Sequence, residues 1–217
     1  MRVQPADGEF PNHHASRNAR LVLASGSASR RALMTGAGLT FDVIPSQVDE
    51  PAVRQALEAG GVAPSPETVA LKLAEAKALD VSALHPDAIV IGSDQVLALG
   101  DQLFEKPIDL DGARAHLRAF RGRQHRLVCG VATALGGAIC WRHVEIARLS
   151  VRAFSDDFLD WYLDTAGSAI CQSVGAYQLE GLGAHLFDRI EGDYFTILGL
   201  PLMALLDELR RQGVVRA

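Results

Sequence analysis

At roughly 150 residues per domain, a chain of 217 residues and 23.2 kDa makes one domain, able to bury about 70% of its unfolded surface. An apolar share of 48% and a charged share of 22% exclude a disordered or fibrous chain. A net charge of −5 argues against non-specific binding to nucleic acid or to an anionic membrane. Residues 1–19 are polar and aperiodic and predict a flexible extension, leaving a single domain over residues 20–217. They contain no apolar run of the kind a secretory signal needs.

Leu21 to Ala24 reads as a short buried strand. The turn Ser25-Gly26-Ser27-Ala28-Ser29 follows, and a helix is expected from Arg30 to about Ala37, ended by glycines. Phe41 to Pro45 predicts a second strand, and residues 51–66 hold at most a short helix within a loop. The next helix runs from about Glu67 to Asp80. Ala88 to Gly92 is a buried strand, and Val96–Leu99 with Leu103–Phe104 predicts a hairpin about Gly100-Asp101. Asp111 to Phe120 is helical, and Leu127–Leu135 is expected to pair with Ala138–Ile146 through Gly136-Gly137. Leu149–Ala153 is a further strand candidate, and Ser155 caps a helix that carries Phe158, Leu159 and Tyr162. The last helix opens at Pro201 and stops at Gly213. Interleaved strands and helices with at least one hairpin predict a mixed α/β domain.

Three unpaired cysteines, Cys129, Cys140 and Cys171, have no metal-ligand spacing and suit a reduced, cytoplasmic protein. The most apolar uncharged run, Leu127 to Trp141, is too short to span a membrane. Lysine is scarce: Lys72, Lys77 and Lys106 stand against eighteen arginines, so each lysine is a candidate for work that arginine does poorly.

The chemistry-bearing residues start with the serine turn. A strand that feeds a small-residue turn into a helix exposes amide donors at the positive end of that helix. Ser25, Ser27 and Ser29 add hydroxyls, and Arg30 and Arg31 add forks suited to phosphate oxygens. The same residues also fit an ordinary serine cap beside solvated arginines. Asp94 interrupts a core-like run, so it either has a cation, metal or backbone partner or caps a turn after Ser93. On a helix advancing about 100° per residue from Glu67, Lys77 falls at roughly 280°, between Leu73 and Ala70. It either snorkels past the core or points into a site. Lys72 falls beside Glu75 and Thr68, on the polar side. Glu50 and Lys106 each precede a proline, which restricts their backbone direction. Glu180 lies in a glycine-flanked stretch unsuited to regular sheet. No Walker loop, HExxH, GxSxG or Cys/His cluster is present in the sequence.

Leu23-Ala24-Ser25-Gly26-Ser27 with Arg30-Arg31, Val48-Asp49-Glu50, Leu73-Ala74 with Lys77-Ala78, Ile91-Gly92-Ser93-Asp94, Lys106-Pro107, and Ile190-Glu191-Gly192-Asp193-Tyr194 with Gly199-Leu200-Pro201-Leu202 resemble the Maf family of nucleoside triphosphate pyrophosphatases. The motifs occur in family order over about residues 21–213. The resemblance implies a mixed, twisted sheet with flanking helices and two lobes around a cleft, related to the inosine-triphosphate pyrophosphatases. It also implies hydrolysis of a nucleoside triphosphate to the monophosphate and pyrophosphate, with Mg²⁺ or Mn²⁺ as cofactor. By position, Asp94 would be the catalytic base and Glu50 a metal-linked carboxylate, with Asp94 sharing the metal. Lys77 would act in catalysis, while Ser25, Ser27, Arg30, Arg31 and Lys106 would hold the triphosphate.

Ser29, Gln95 and Glu180 fall at positions that separate branches of the family. Gln95 and Glu180 are similar to the branch associated with 7-methylguanosine triphosphate rather than pyrimidine triphosphates. That branch usually carries Pro-Trp where Ala28-Ser29 stands and Gly where Glu105 stands, so the preferred base stays open. A homodimer is the assembly the resemblance implies, with no stable nucleic-acid partner. A rival expectation is a nucleotide-binding regulator of septum formation and division that does not hydrolyse its ligand. Two carboxylates beside a phosphate site argue against that rival.

Overall fold

The computed structural model describes residues 20–59, 61 and 63–216. The extension expected over residues 1–19 therefore lies outside the described residues.

Two short runs of alternating side chains organise the first part of the sheet. Strand β1 (Arg20–Leu23) pairs in parallel with β3 (Ala88–Leu99), setting Leu21 opposite Ile89 and Leu23 opposite Ile91. Alternation sends Leu21, Leu23, Ile89 and Ile91 to one face, where they meet Met34 of α1 (Ala28–Gly36) and Leu205 and Leu209 of α7 (Leu202–Arg211). The other face carries Val22, Ala24, Ala88 and Val90 against Val81 of α3 (Pro66–Leu84). A parallel pair covered on both faces explains why these strands read as continuous apolar runs. Cutting Leu23 or Ile91 to Ala would cost about 2–5 kcal/mol, because neither has any solvent contact to recover.

The seven-stranded sheet is mixed and is not closed. Its order is β2 (Asp42–Val43), β1, β3, β5 (Gln124–Leu135), β6 (Ala138–Val151) and β7 (Phe187–Glu191), with β4 (Gln102–Phe104) folded back antiparallel on β3. The turn between β5 and β6 is Gly136-Gly137, both at positive φ (59° and 77°), as a tight two-residue hairpin loop requires. Helices α2 (Glu50–Glu58), α4 (Leu110–Phe120), α5 (Asp156–Ala166) and α6 (Tyr194–Ile197) complete the set. Asp49, Ser65, Asp109 and Ser155 cap α2 to α5, each side chain accepting from an amide in the first turn.

Several boundaries differ from the sequence-based expectation. The strands predicted at 88–92 and 96–99 are one strand, and Asp94 lies within it rather than in a turn. The strands predicted at 138–146 and 149–153 are likewise one, because edge-like polar residues such as Glu145 and Arg148 alternate without breaking the pairing. Helix α3 extends to Leu84, and Pro201 occupies the cap position of α7 rather than its first turn. Glu75, assigned by its helical angle to the polar side, is buried and pairs with Lys72 (2.8 Å) and with Arg142 of β6 (3.0 Å). A partner 67 positions away in sequence is invisible to helical periodicity. Lys72 itself is half exposed, as expected.

The chain divides into two units. One comprises residues up to Gln95, Cys129–Glu145 and everything from Tyr194; the other comprises Val96–Val128 and Ile146–Asp193. Within the second, Phe104, Phe120, His125, Tyr177 and Phe187 form an aromatic core. His125 Nε2 and the Tyr177 hydroxyl are 2.7 Å apart, and burial pushes the imidazole down to about 4, so it is a neutral core residue. Among the described residues, no helix is long and apolar enough to cross a membrane.

Candidate active site

The first unit brings Ser25, Ser27, Arg30, Glu50, Lys77 and Asp94 into one connected set. Ser27 caps α1, its hydroxyl accepting from the Arg30 amide at 3.4 Å. The neighbouring Ser25 is buried and its Oγ accepts from the Ser27 amide (3.3 Å) and from Arg30 Nη1 (3.1 Å). Arg30 is buried as well, and its Nε donates to the carbonyl of Gly199 at 2.7 Å. Two of its guanidinium nitrogens are thus held by the protein, which fixes the plane of the fork at the N-terminal end of α1. The serine turn is therefore a cap and a cation holder at once, rather than one or the other. Ser29 is half-buried in the first turn of α1, which starts at Ala28 rather than at Arg30 as expected, and Arg31 is exposed.

The second part of the set depends on glycine. Alternation along β3 puts Gly92 and Asp94 on the face covered by α3. A Cβ at Gly92 would lie 2.2 Å from the carbonyl oxygen of Ala74 and 2.7 Å from the amide of Ala78, so the helix backbone rests directly on the strand there. Gly130 of β5 makes a similar approach, its notional Cβ 2.5 Å from the Ala70 oxygen. Lys77 sits between Ala74 and Ala78, and this close contact delivers its ammonium to Asp94. Nζ is 2.6 Å from Asp94 Oδ1 and 2.7 Å from Glu50 Oε1. Lys77 therefore does not snorkel; it joins two carboxylates from different elements. Glu50 opens α2 after the Asp49 cap, with Pro51 behind it, a favourable position for an acid at a helix N-terminus.

The two carboxylates have opposite electrostatics. Burial raises Asp94 above the ordinary carboxyl value, outweighing the pull of Lys77 and Arg30, and the charge of Glu50 raises it further. Burial also acts to raise Glu50, which is only half-buried, but the bond to Lys77 and the charges of Lys77, Arg54 and Arg30 hold it below that value. One carboxylate is a firm anion and the other a stronger proton acceptor. Asp94 Oδ2 is buried and has no hydrogen-bond partner among the described residues. Cys129 lies nearby through Ser93 (3.7 Å), but burial pushes its thiol up to about 12, which removes it as a nucleophile.

Three contributors were not among the expected site residues, although Ser93 and Gly199 lie within the quoted motifs. Ser93 Oγ lies within donating distance of the Gly130 carbonyl (2.9 Å) and the Gly199 carbonyl (3.1 Å). Gly199, at φ 100°, supplies the oxygen that Arg30 and Ser93 share. Arg54 adds charge one helical turn beyond Glu50. The glycines inside β3 and β5 were legible signals, since glycine within a strand marks a close approach of another backbone. Gln95, half-buried, gives its amide nitrogen to the carbonyls of Thr196 (2.8 Å) and Ile197 (3.2 Å). Lys106 and Glu180 belong to the second unit and are both exposed there. The Glu180 stretch contains no strand, as its glycines predicted.

Could the first-unit residues hold a divalent metal? Among the described residues, no group of three or more His, Cys, Asp and Glu side chains forms a metal-binding cluster. Mg²⁺, however, is commonly held by one or two carboxylates, with waters and substrate phosphates completing the shell. Glu50, held ionised, and the unpartnered Asp94 Oδ2 meet that requirement. The donor set fits a metal that arrives with a polyphosphate.

Comparison with known proteins identifies the family of the chain. The family model described as "Maf-like protein" matches residues 20–212. The 7-methyl-GTP pyrophosphatase of Rhizobium etli is 50% identical over 196 residues, covering 90% of this chain and 98% of that protein. The 7-methyl-GTP pyrophosphatase of Mesorhizobium japonicum is 49% identical with the same coverage. The nucleoside triphosphate pyrophosphatase of Paramagnetospirillum magneticum is 52% identical over 192 residues, covering 88% of this chain and 98% of that protein.

Proposed function

This chain belongs to the Maf-like protein family, and on that premise we propose that it hydrolyses a nucleoside triphosphate to the monophosphate and pyrophosphate. The observation that carries the reading is the Glu50–Lys77–Asp94 contact beside the Arg30 fork. It gathers two cations, Arg30 at the start of α1 and Lys77 on α3, with two carboxylates of unlike basicity, Glu50 at the start of α2 and Asp94 on β3. A triphosphate needs convergent cations, and its hydrolysis needs an oriented water and a proton acceptor rather than a covalent nucleophile.

In this mechanism the hydroxyls of Ser25 and Ser27 and the remaining nitrogen of Arg30 bind the triphosphate, with Arg31 at the rim. Lys77 passes its ammonium from the carboxylates to the phosphate oxygens as substrate enters. Asp94 takes the proton of the attacking water, the role its raised basicity suits. The water oxygen bonds to the α-phosphorus, the bond from that phosphorus to the bridging oxygen breaks, and pyrophosphate leaves. Glu50 and Asp94 would hold Mg²⁺ or Mn²⁺, which when bound supplies charge neutralisation on the phosphates. Roles for Lys106 on the triphosphate and for Glu180 as acceptor of guanine N–H groups rest on the resemblance.

We take 7-methyl-GTP as the preferred substrate, supported by the names of several relatives and by the presence of Gln95 and Glu180 at positions where that branch resembles this chain. Three buried free cysteines support a reducing, cytoplasmic setting, and a homodimer is the assembly proposed. Incubation with 7-methyl-GTP, GTP, UTP, dTTP and CTP, each with Mg²⁺ or Mn²⁺, tests the reading. Pyrophosphate release, fastest with 7-methyl-GTP, is expected. Release from none of them would overturn the activity, and faster release from a pyrimidine triphosphate would overturn only the base preference.

A further inference from the structure

Helix α2 carries Arg54 four positions after Glu50, about 40° round the helix and roughly 6 Å along it, so both side chains leave the same face. A glutamate and an arginine at that spacing ordinarily pair with each other. Here Lys77 Nζ takes Glu50 Oε1 at 2.7 Å, and Arg54 has no hydrogen-bond or ion-pair partner among the described residues. By contrast, Arg20, Arg114 and Arg121 each bond an aspartate. Arg54 is half-buried, and its charge acts on Glu50. A guanidinium partly withdrawn from water, beside a carboxylate already engaged by another cation, keeps its donors free for an anion that arrives from outside.

The cations of the site are spread along its carboxylates. Asp94 and Glu50 bracket the Lys77 ammonium. The charges that bear most on Asp94 are those of Lys77, Arg30 and Glu50, whereas Arg54 bears on Glu50. A triphosphate whose α-phosphorus stands at Asp94 carries its β- and γ-phosphates away from that base. The negative charge released as the bond to the bridging oxygen breaks collects on those two groups. We propose that Arg54 is a catalytic residue of this reaction: its guanidinium grips the β- and γ-phosphates from the Glu50 side and neutralises the pyrophosphate as it leaves. The planar fork suits two oxygens of one polyphosphate at once. This rests on the reading that Asp94 directs water to the α-phosphorus.

Two variants test it, Arg54→Met, which keeps the helix and an unbranched apolar stem, and Arg54→Lys, which keeps the charge without the fork. Binding of inorganic pyrophosphate and of GMP, each with Mg²⁺, is measured by calorimetry on the full-length protein, with Tm confirming that each variant folds. Arg54→Met should weaken pyrophosphate binding about tenfold and leave GMP binding unchanged. Its kcat for 7-methyl-GTP should fall roughly a hundredfold, because the contact strengthens as the leaving group gains charge. Arg54→Lys should fall between Arg54→Met and the wild type in both measurements. Wild-type pyrophosphate affinity in Arg54→Met, or an equal loss of pyrophosphate and GMP, would overturn the proposal. So would a full return of its kcat to the wild-type value on raising the pH, since Arg54 would then act only by keeping Glu50 ionised. If the wild type releases pyrophosphate from no triphosphate, the reaction assigned to the site fails and the proposal fails with it. If the wild type turns over and Arg54→Met matches it, the role of Arg54 alone is wrong.

Discussion

Asp94 and Glu50 share one ammonium yet titrate apart, and the cause is their depth in the protein. Asp94 is buried on β3, so desolvation dominates; Glu50 is half-buried at the start of α2, so its cations dominate. A base whose carboxyl lies above the ordinary value predicts an acid limb of kcat/KM displaced to higher pH than an exposed aspartate would give. The same shift has a stability consequence with a definite sign. Between the unfolded and folded values, the folded protein keeps a proton that the unfolded chain has lost, so ionisation of Asp94 costs stability as pH rises through that window. Asp94→Asn removes this loss. The variant should have no measurable turnover, and its Tm should gain on that of the wild type as pH goes from about 4 to 8. A Tm difference that is flat with pH would contradict the assignment.

Lys77 makes a second prediction at this scale. The formal charges of Glu50, Asp94, Lys77 and Arg30 cancel, so the nucleotide-free site has no net attraction for a cation. Lys77→Gln leaves a surplus negative charge and should tighten Mn²⁺ binding to the free protein by about tenfold, read by electron paramagnetic resonance, while depressing turnover. Unchanged Mn²⁺ affinity would contradict a shared carboxylate site.

The elements place these residues more rigidly than their side chains do. Helix α3 lies on β3 and β5 at Gly92 and Gly130, with no room for a methyl group at either. Gly92→Ala should cost roughly 3 kcal/mol or more, because both the strand and the helix backbone would have to move, and activity should be lost with it. Urea unfolding measures the first and pyrophosphate release the second; a wild-type midpoint would refute the packing. Much of this scale was readable from the sequence. Helical angle alone put Lys77 on the apolar side, and the cap at Ser155 marked the start of α5.

What escaped had a consistent origin. Asp94 lies within a strand because Lys77, seventeen positions earlier, compensates its charge. Glu75 is buried because Arg142 arrives from β6. The bonds of Ser93 and Gln95 to the 196–199 turn span about a hundred positions. Local pattern registers a side chain's character but not a partner brought to it by sheet order.

At the scale of the whole molecule, the family match spans residues 20–212 and so includes both units of the chain. Strands β3, β5 and β6 each contribute residues to each unit. The acidic net charge of −5 is no obstacle to a phosphate site, because a phosphate responds to the field of the groups where it binds, Arg30 and Lys77 among them, and not to the total. In the proposed reaction, water activated by Asp94 attacks the α-phosphorus of a nucleoside triphosphate. Turnover of 7-methyl-GTP in ¹⁸O-labelled water, with both products analysed by mass spectrometry, addresses it directly. The label should appear in the nucleoside monophosphate, with unlabelled pyrophosphate beside it. Label in the pyrophosphate, or release of orthophosphate as the first product, would contradict it.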